Sequence, residues 1–198
     1  MLADGLDLIV PSFDLDNATI VQATEKLANY DLLVCVEVRT QDEHAPRLTL
    51  HRKNQSLRQI LDAITGQMPD YAWQEHFSHA LAHRAIRIVN LTPQWAQRDA
   101  TYPLEVNTGP LDVRDAIPED LIRHVQYQIP ELLTRVKHRG GNSTGIYPLT
   151  PPAVKATINI KTTGLSVREF LNELAAAANA PWVCVLDDLP GGGFCYEH

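Results

Sequence analysis

The sequence of 198 residues lacks long apolar runs, and none approaches the roughly 20 residues that a membrane helix needs. No membrane span is therefore expected in this chain. Its first residues carry neither the basic segment nor the apolar stretch of a signal peptide. The sequence as given thus predicts either a cytosolic protein or a chain whose leader lies outside it. Two enzyme signatures are also missing, the HExxH zinc motif and the GxxxxGK[ST] phosphate loop.

Basic residues are in the minority, with 17 Lys and Arg against 24 Asp and Glu and a net charge of -7. A nucleic-acid interface needs clustered basic side chains, so no nucleic-acid partner is expected. The three cysteines include no CxxC pair, which argues against a zinc ribbon or a thioredoxin-type site. Cys184 and Cys195 flank a glycine-rich turn. They either form a bridge across two strands in an oxidising compartment or remain separate thiols.

Alternating polarity and helical periodicity follow one another through the first 92 residues. The order that they predict is β-α-β-β-α-β-β. Capping boxes begin the two helices at Thr19 and Ser56, and an apolar stripe runs from Leu57 to Ile64. Two helices and a small mixed sheet make a compact two-layer α+β unit.

The second half repeats part of this pattern at an offset of 110 residues. Leu48 and Leu50 of one strand match Ile158 and Ile160, and a third capping box begins at Ser166. An earlier segment of the second half matches more weakly. The aligned pairs there are Phe13 with Leu104, Leu15 with Val106, and Ile20 with Leu111.

Two prolines distinguish the second half from the first. Pro118 and Pro130 interrupt the helical pattern and predict two extra helices, in "EDLIRHVQYQI" and "ELLTRVKH". The predicted fold class is therefore α+β, with tandem two-layer units of βαββαβ type and extra helices in the second unit. The predicted boundaries are residues 1–92 for the first unit, 93–101 for a linker, and 102–198 for the divergent second unit.

The motifs "FDLDNATI", "LLVCVEV" and "LTLHRKNQSLRQILDAI" together resemble the short N-terminal domain shared by bacterial secretins and TonB-dependent outer-membrane receptors. "INIKTTGLSVREFLNEL" is similar to the second part of the same motif, as in a partial second copy. The resemblance implies a periplasmic or cell-envelope module without catalytic residues or cofactors. It also implies a scaffold of two helices against small sheets that docks other envelope proteins. Apart from the resemblance, a homo-oligomer is the alternative assembly for this chain.

Three histidines suggest a different function, a metal-binding protein or a metal-dependent enzyme. On a helix, His76, His79 and His83 would share one face, and three imidazoles can hold zinc. The competing interpretation is that the histidines belong to a polar connection between two short strands. That interpretation, together with the resemblance, predicts no enzyme and no metal.

A third function class is the binding of a small ligand or glycan between the two halves. Trp95 in the linker and Tyr102 just after it are the aromatic side chains that would line such a cleft. Trp95 alternatively packs between the halves or meets a protein partner. Trp73 and Trp182 follow the two matching helices and are expected in the core.

Overall fold

The computed structural model describes residues 5–39, 46–78, 86–94, 102–117, 120–121, 157–179, 181–186 and 194–195. The fold is α+β, as predicted. None of the helices in these ranges is long and apolar enough to cross a bilayer.

The first half contains the predicted β-α-β-β-α-β-β order. A short 3-10 helix, Gly5–Asp7, precedes it. The strands are β1 (Ile9–Ala18), β2 (Leu33–Arg39), β3 (Leu48–Ser56), β4 (Tyr71–Ser78) and β5 (Ile86–Pro93), and the helices are α1 (Ile20–Ala28) and α2 (Leu57–Gln67). Both predicted capping boxes are present. The Thr19 and Ser56 side chains accept a hydrogen bond from the backbone N–H three residues on, and the side chain of the glutamine there accepts one from the backbone N–H of the capping residue.

The second half begins with another 3-10 helix, Pro103–Glu105. Its strands are β6 (Leu111–Ala116), β7 (Ile158–Thr162), β8 (Val183–Leu186) and β9 (Phe194–Cys195), and its helix is α3 (Val167–Ala178). The third capping box is present at Ser166 with Glu169. Asp120 and Leu121 are helical, and the remainder of the two predicted extra helices lies outside the described residues.

A five-stranded sheet joins the two halves, in the order β4-β5-β2-β8-β9. Strand β2 pairs in parallel with β5 on one side and with β8 on the other. The sequence boundary at 93–101 therefore separates strands that hydrogen-bond within one sheet. Independent folding of units 1–92 and 102–198 remains a prediction.

Each face of this sheet supports its own hydrophobic core, because neighbouring residues of a strand point to opposite faces. Val34 and Val36 of β2 face the core of the first half, with α1, α2 and the β1–β3 pair. Cys35, between them in β2, and Ile88 of β5 belong to the other core, with α3 and the β6–β7 pair. Residues of the first half thus form part of the hydrophobic core of the second half.

Several described elements recur in both halves, at an offset of 98 residues up to β6 and of 110 residues from β7 to α3. Gly5–Asp7 and Pro103–Glu105 are 98 residues apart, and Leu6 and Leu104 are fully buried in equivalent positions. The β1–β3 and β6–β7 pairs have register shifts at matching places, before Ala18 and Ala116. Each shift includes a residue with positive φ, Asn17 in the first half and Asp115 in the second. Thr49 and Asn159 accept the hydrogen bond from the backbone N–H of that residue in the respective halves.

The predicted alignment of the second half's first strand is wrong. Leu104 lies in a 3-10 helix rather than in a strand, and Val106 follows that helix. The observed strand is β6, whose sequence "LDVRDA" matches "FDLDNA" of β1 at an offset of 98. Pro103 explains the difference, because proline at the first position of a helical turn favours that turn over a strand.

The Cys35 and Cys184 side chains are fully buried. In the β8–β9 pair, Cys195 stands opposite Val185, not Cys184. Burial raises the pKa of the Cys35 thiol to about 12, so the reactive thiolate is scarce at neutral pH.

We expect the Cys35 and Cys184 thiols to resist alkylation in the native protein and to react after unfolding. Peptide mapping by mass spectrometry would test this, and rapid modification of Cys35 under native conditions would contradict it.

Candidate functional site at the edge of the central sheet

Strand β4 forms one edge of the five-stranded sheet, and among the described strands it pairs only with β5. We call the side of β4 that faces away from β5, over residues 72–77, the β4 edge. Gln74 is exposed there, and Phe77 is 45% exposed, one of four large apolar side chains so exposed in the described ranges. Open strands of this kind can pair with another chain, so proteins usually cover or block them.

The face of β4 toward α2 carries alternating aromatic and charged groups. Arg58 of α2 lies over the Trp73 ring, 5.5 Å from its centroid, and donates to Glu75 at 3.1 Å. Arg87 of β5 lies 3.3 Å from the other Glu75 oxygen and 5.1 Å from the Phe77 centroid. These contacts orient the aromatic rings along the edge, and each arginine contributes a charge-assisted contact to Glu75.

The opposite face of β4 meets α3 of the second half. His76 Nε2 lies 3.3 Å from Glu173 Oε1, and Ser78 Oγ donates to Glu173 Oε2 at 2.7 Å. Both halves therefore contribute to this end of the sheet. Glu75, which adjoins His76 in the sequence, pairs with Arg58 and Arg87, and the carboxylate that His76 contacts is Glu173.

The prediction that His76 lies on a helical face with two other histidines is wrong, because His76 lies in strand β4. In a strand, residues spaced i, i+3 and i+7 do not share one face. His79 and His83 lie outside the described residues. Within the described ranges, no group of three or more His, Cys, Asp or Glu side chains is placed to hold a metal ion. Metal binding by the three histidines remains a prediction.

In the second half, the strand that follows the capped helix is β8, and its edge is covered by β2. Glu37 of β2 is fully buried there. Arg168 Nε donates to Glu37 Oε1 at 2.6 Å, and the Tyr102 hydroxyl donates to Glu37 Oε2. Arg168 also donates to Glu105. This cluster joins β2 to α3 and to the 3-10 helix that opens the second half.

Burial changes the acid–base properties of the cluster. Desolvation raises the pKa of Glu37, although the hydrogen bond and charge of Arg168 and the hydrogen bond from Tyr102 act in the opposite direction. Burial and the neighbouring Glu37 also raise the pKa of Tyr102, so its hydroxyl keeps its proton and acts as a donor.

The sequence analysis did not select this cluster. A signal was available in "LLVCVEV", because a carboxylate inside an apolar strand needs a buried partner. The partner could not be read from the sequence, since Arg168 lies 131 residues away.

Arg58 in the first half is the counterpart of Arg168 at the offset of 110. Each is paired with an acid of the preceding 3-10 helix, Arg58 with Asp7 at 3.7 Å and Arg168 with Glu105. Their exposure differs, because the Arg58 side chain is 39% exposed and that of Arg168 is 13% exposed. The arginine–acid pair is therefore more exposed to solvent beside β4 than beside β8.

Of the aromatic side chains predicted to line a cleft, Tyr102 is buried, and its hydroxyl is engaged with Glu37. Trp95 lies outside the described residues. A shallow groove of about 410 Å³ lies in the first half, with Tyr71 and Trp73 among its lining residues. Ligand binding between the halves remains a prediction.

One sequence pattern bears on catalysis. Residues 141–145 read GNSTG and have the GxSxG spacing of a nucleophile elbow. Gly140 and further polar residues surround them, rather than the strand and helix patterns that such an elbow joins. The segment lies outside the described residues, and the prediction that the chain is not an enzyme stays a prediction.

A scan against protein-family models finds no match for this chain. Searches of curated proteins and of solved structures find no match either.

Proposed function

We propose that the chain is a non-catalytic protein–protein interaction module of the bacterial cell envelope and that the β4 edge is its docking surface. The observation that carries this proposal is a strand that has a described neighbour on one side only, with an exposed Phe77, at the end of a sheet that both halves build together. The resemblance to the short N-terminal domain of secretins and TonB-dependent receptors supports the envelope location, because that domain docks envelope proteins.

The chemistry of the β4 edge suits the addition of a strand. Backbone hydrogen bonds supply affinity in this mode of recognition, and alternate side chains of the incoming strand supply specificity. Phe77 and Trp73 provide apolar and aromatic surface on the face toward α2, and His76 with Glu173 provides polar groups on the other face. An incoming strand would therefore meet a different set of side chains on each face.

Site-specific photo-crosslinking in the producing bacterium tests the proposal. A benzophenone amino acid at Gln74, which is exposed on β4, is expected to yield an adduct of defined mass with an envelope protein or with another copy of the chain. The matched control is the same group at Glu25, which is exposed on α1. Absence of an adduct at Gln74, or equal adducts at both positions, would rule out the β4 edge as the docking surface.

A further inference from the structure

A shallow groove lies between the C-terminal half of α2 and the first residues of β4. Its volume is about 410 Å³, within the range of about 300–1,000 Å³ that ligand sites occupy. Asp62, Thr65, Gly66, Tyr71, Trp73 and Gln94 are among its lining residues. The groove thus combines two aromatic rings with a carboxylate, a hydroxyl and an amide.

Contacts within the protein hold the Trp73 side chain at this groove. Its indole N–H donates to Asp62 Oδ1 at 2.8 Å, and Arg58 lies over its ring, 5.5 Å from the centroid. A ring that is already held in this way loses little further freedom when a ligand binds. The groove is therefore pre-organised for an aromatic contact with a ligand.

Gly66 is a glycine that neither the backbone nor the packing of the described residues requires. It lies within α2 and has no positive φ, so the backbone there suits residues with a side chain. A Cβ atom added at Gly66 would meet no described atom within 4 Å, beyond its own helix backbone and its chain neighbours. Glycine destabilises a helix relative to alanine. The effect of Gly66 is to leave open space in the groove that it lines.

The equivalent surface of the second half is closed. At the offset of 110, the corresponding pairs are Asp62 with Asn172, Thr65 with Ala175, and Gly66 with Ala176. The three α3 residues are each at most 4% exposed, whereas Asp62 and Gly66 of α2 are exposed. Trp182, whose indole N–H donates to Asn172, is 3% exposed, and Trp73 is only partly buried. Of these two equivalent surfaces, only that of the first half is open.

The residue differences between the two surfaces suit a polar ligand. Asp62 carries a carboxylate where Asn172 carries a neutral amide, and Gly66 lacks the methyl group of the alanine in α3. Thr65 adds a hydroxyl, which donates to backbone carbonyls within α2. The oxygen of a donating hydroxyl can still accept a hydrogen bond. Compared with α3, α2 therefore offers more space and more polar groups.

The charges around the groove favour an uncharged ligand. Among the described residues that line it, Asp62 carries the only charge, and its carboxylate would repel an anion. Arg58 already lies over the Trp73 ring, so a cationic ligand at the same ring would meet a like charge. A ligand rich in hydroxyl groups avoids both repulsions and can still form hydrogen bonds with the carboxylate.

We propose that this groove binds an uncharged saccharide, with a pyranose ring against Trp73 and Tyr71 and its hydroxyl groups on Asp62 and Gln94. One face of a pyranose presents C–H groups, which pack on aromatic rings, and its rim presents hydroxyls, which both donate and accept. A carboxylate accepts from those hydroxyls, and an amide donates as well as accepts. The inference goes beyond the proposed function and does not depend on it, because no partner protein takes part.

Two-dimensional NMR of the isotope-labelled full chain tests the inference, with cellotetraose, tetraacetylchitotetraose and glucose as probes. Binding is expected to shift the Trp73 indole signal and the backbone signal of Gly66, and the shifts should saturate at millimolar concentrations. The indole signal of Trp182 is the internal control, because this side chain is 3% exposed and its signal should not move. Absence of any shift at Trp73 with all of the probes, or equal shifts at Trp73 and Trp182, would overturn the inference.

Two substitutions test the groove itself, and each introduces the residue that α3 has at the equivalent place. Asp62→Asn keeps an acceptor for the Trp73 indole and is expected to weaken saccharide binding about tenfold, because a neutral amide is a weaker acceptor than a carboxylate. Gly66→Ala is expected to weaken binding as well, because its methyl group fills space in the groove. It should also raise the midpoint of thermal unfolding by about 2 °C, because alanine is the better helix former. Weaker binding by a more stable variant would not come from damage to the fold.

Glu25→Gln is the matched control, because it removes an exposed carboxylate from α1 that does not line the groove. This variant should bind the probes with wild-type affinity. Wild-type affinity in either groove variant, or an equal loss in Glu25→Gln, would contradict the saccharide site. Stronger binding of the two tetrasaccharides than of glucose would support a polysaccharide segment as the ligand, whereas equal binding would support a single sugar.

Discussion

Replacing Arg168 with leucine is expected to lower the free energy of unfolding by about 3–5 kcal/mol at about pH 8, because breaking a buried ion pair leaves an uncompensated charge. Glu37 is fully buried, and Arg168 is the cation that contacts it through both Nε and Nη2. Urea unfolding followed by tryptophan fluorescence would measure the loss.

The internal duplication provides the control. Arg58→Leu makes the same chemical change at the equivalent position, where the arginine is 39% exposed and its partner Glu75 is itself partly exposed. Exposed ion pairs contribute about 0–1 kcal/mol, so this variant should lose far less stability. Equal losses in the two variants would contradict the assignment of Glu37 and Arg168 as a buried pair on which the structure depends.

The loss in Arg168→Leu should shrink as the pH falls, because Glu37 can then take a proton and no longer carries a buried charge. Glu37→Gln in the Arg168→Leu background should restore part of the stability for the same reason. If Glu37 and Arg168 do not interact, the two substitutions will instead add in a double-mutant cycle.

Glu37 also predicts a pH dependence in the otherwise unaltered protein. Burial raises its folded pKa above the ordinary carboxyl value of 4.5, so the native state holds this proton more tightly than the unfolded chain does. The stability that Glu37 contributes is fully present below the unfolded pKa and is lost as pH rises through the folded pKa. Glu37→Gln should therefore gain stability relative to wild type as pH rises above 4.5, and a difference that does not vary with pH would contradict this.

Phe170→Ala is expected to cost about 3–5 kcal/mol and to destabilise both halves, although the substitution lies in the second. Phe170 of α3 is buried in a core that includes Cys35 of β2 and Ile88 of β5. Because those two strands also carry the core of the first half on their other face, we expect one cooperative unfolding transition.

Hydrogen exchange measured by mass spectrometry would test this coupling. Phe170→Ala should speed exchange in β1 and β3 as well as in β6 and β7, and Phe13→Ala in the first half should do the same. If exchange in β1 and β3 keeps its wild-type rate in Phe170→Ala, the two halves unfold separately. That result would agree with the predicted linker at residues 93–101 and contradict a single cooperative transition.

Local elements were predictable because their causes lie within a few residues. The capping boxes at Thr19, Ser56 and Ser166 depend on a side chain and the backbone three positions away, and all three are present. Apolar spacing identified the buried faces of the helices for the same reason, as the buried Leu57 and Ile64 of α2 show.

The alignment of the second half's first strand failed because apolar spacing alone does not distinguish a strand from a 3-10 turn. A better signal was present, since Asn17 and Asp115 each precede an alanine and each adopts a positive φ where the strand shifts register. Asn and Asp tolerate that conformation more readily than other residues with a side chain.

By itself, the sequence determined the order of helices and strands in the first half, the three capping boxes and the apolar faces of the capped helices, since these properties follow from short-range geometry. Only the tertiary structure decided that β8 pairs with β2, that Glu37 meets Arg168 and that β4 is left at the edge of the sheet. A strand offers the same backbone groups to any neighbour, so the packing of distant helices on the two faces of the sheet selects its partner.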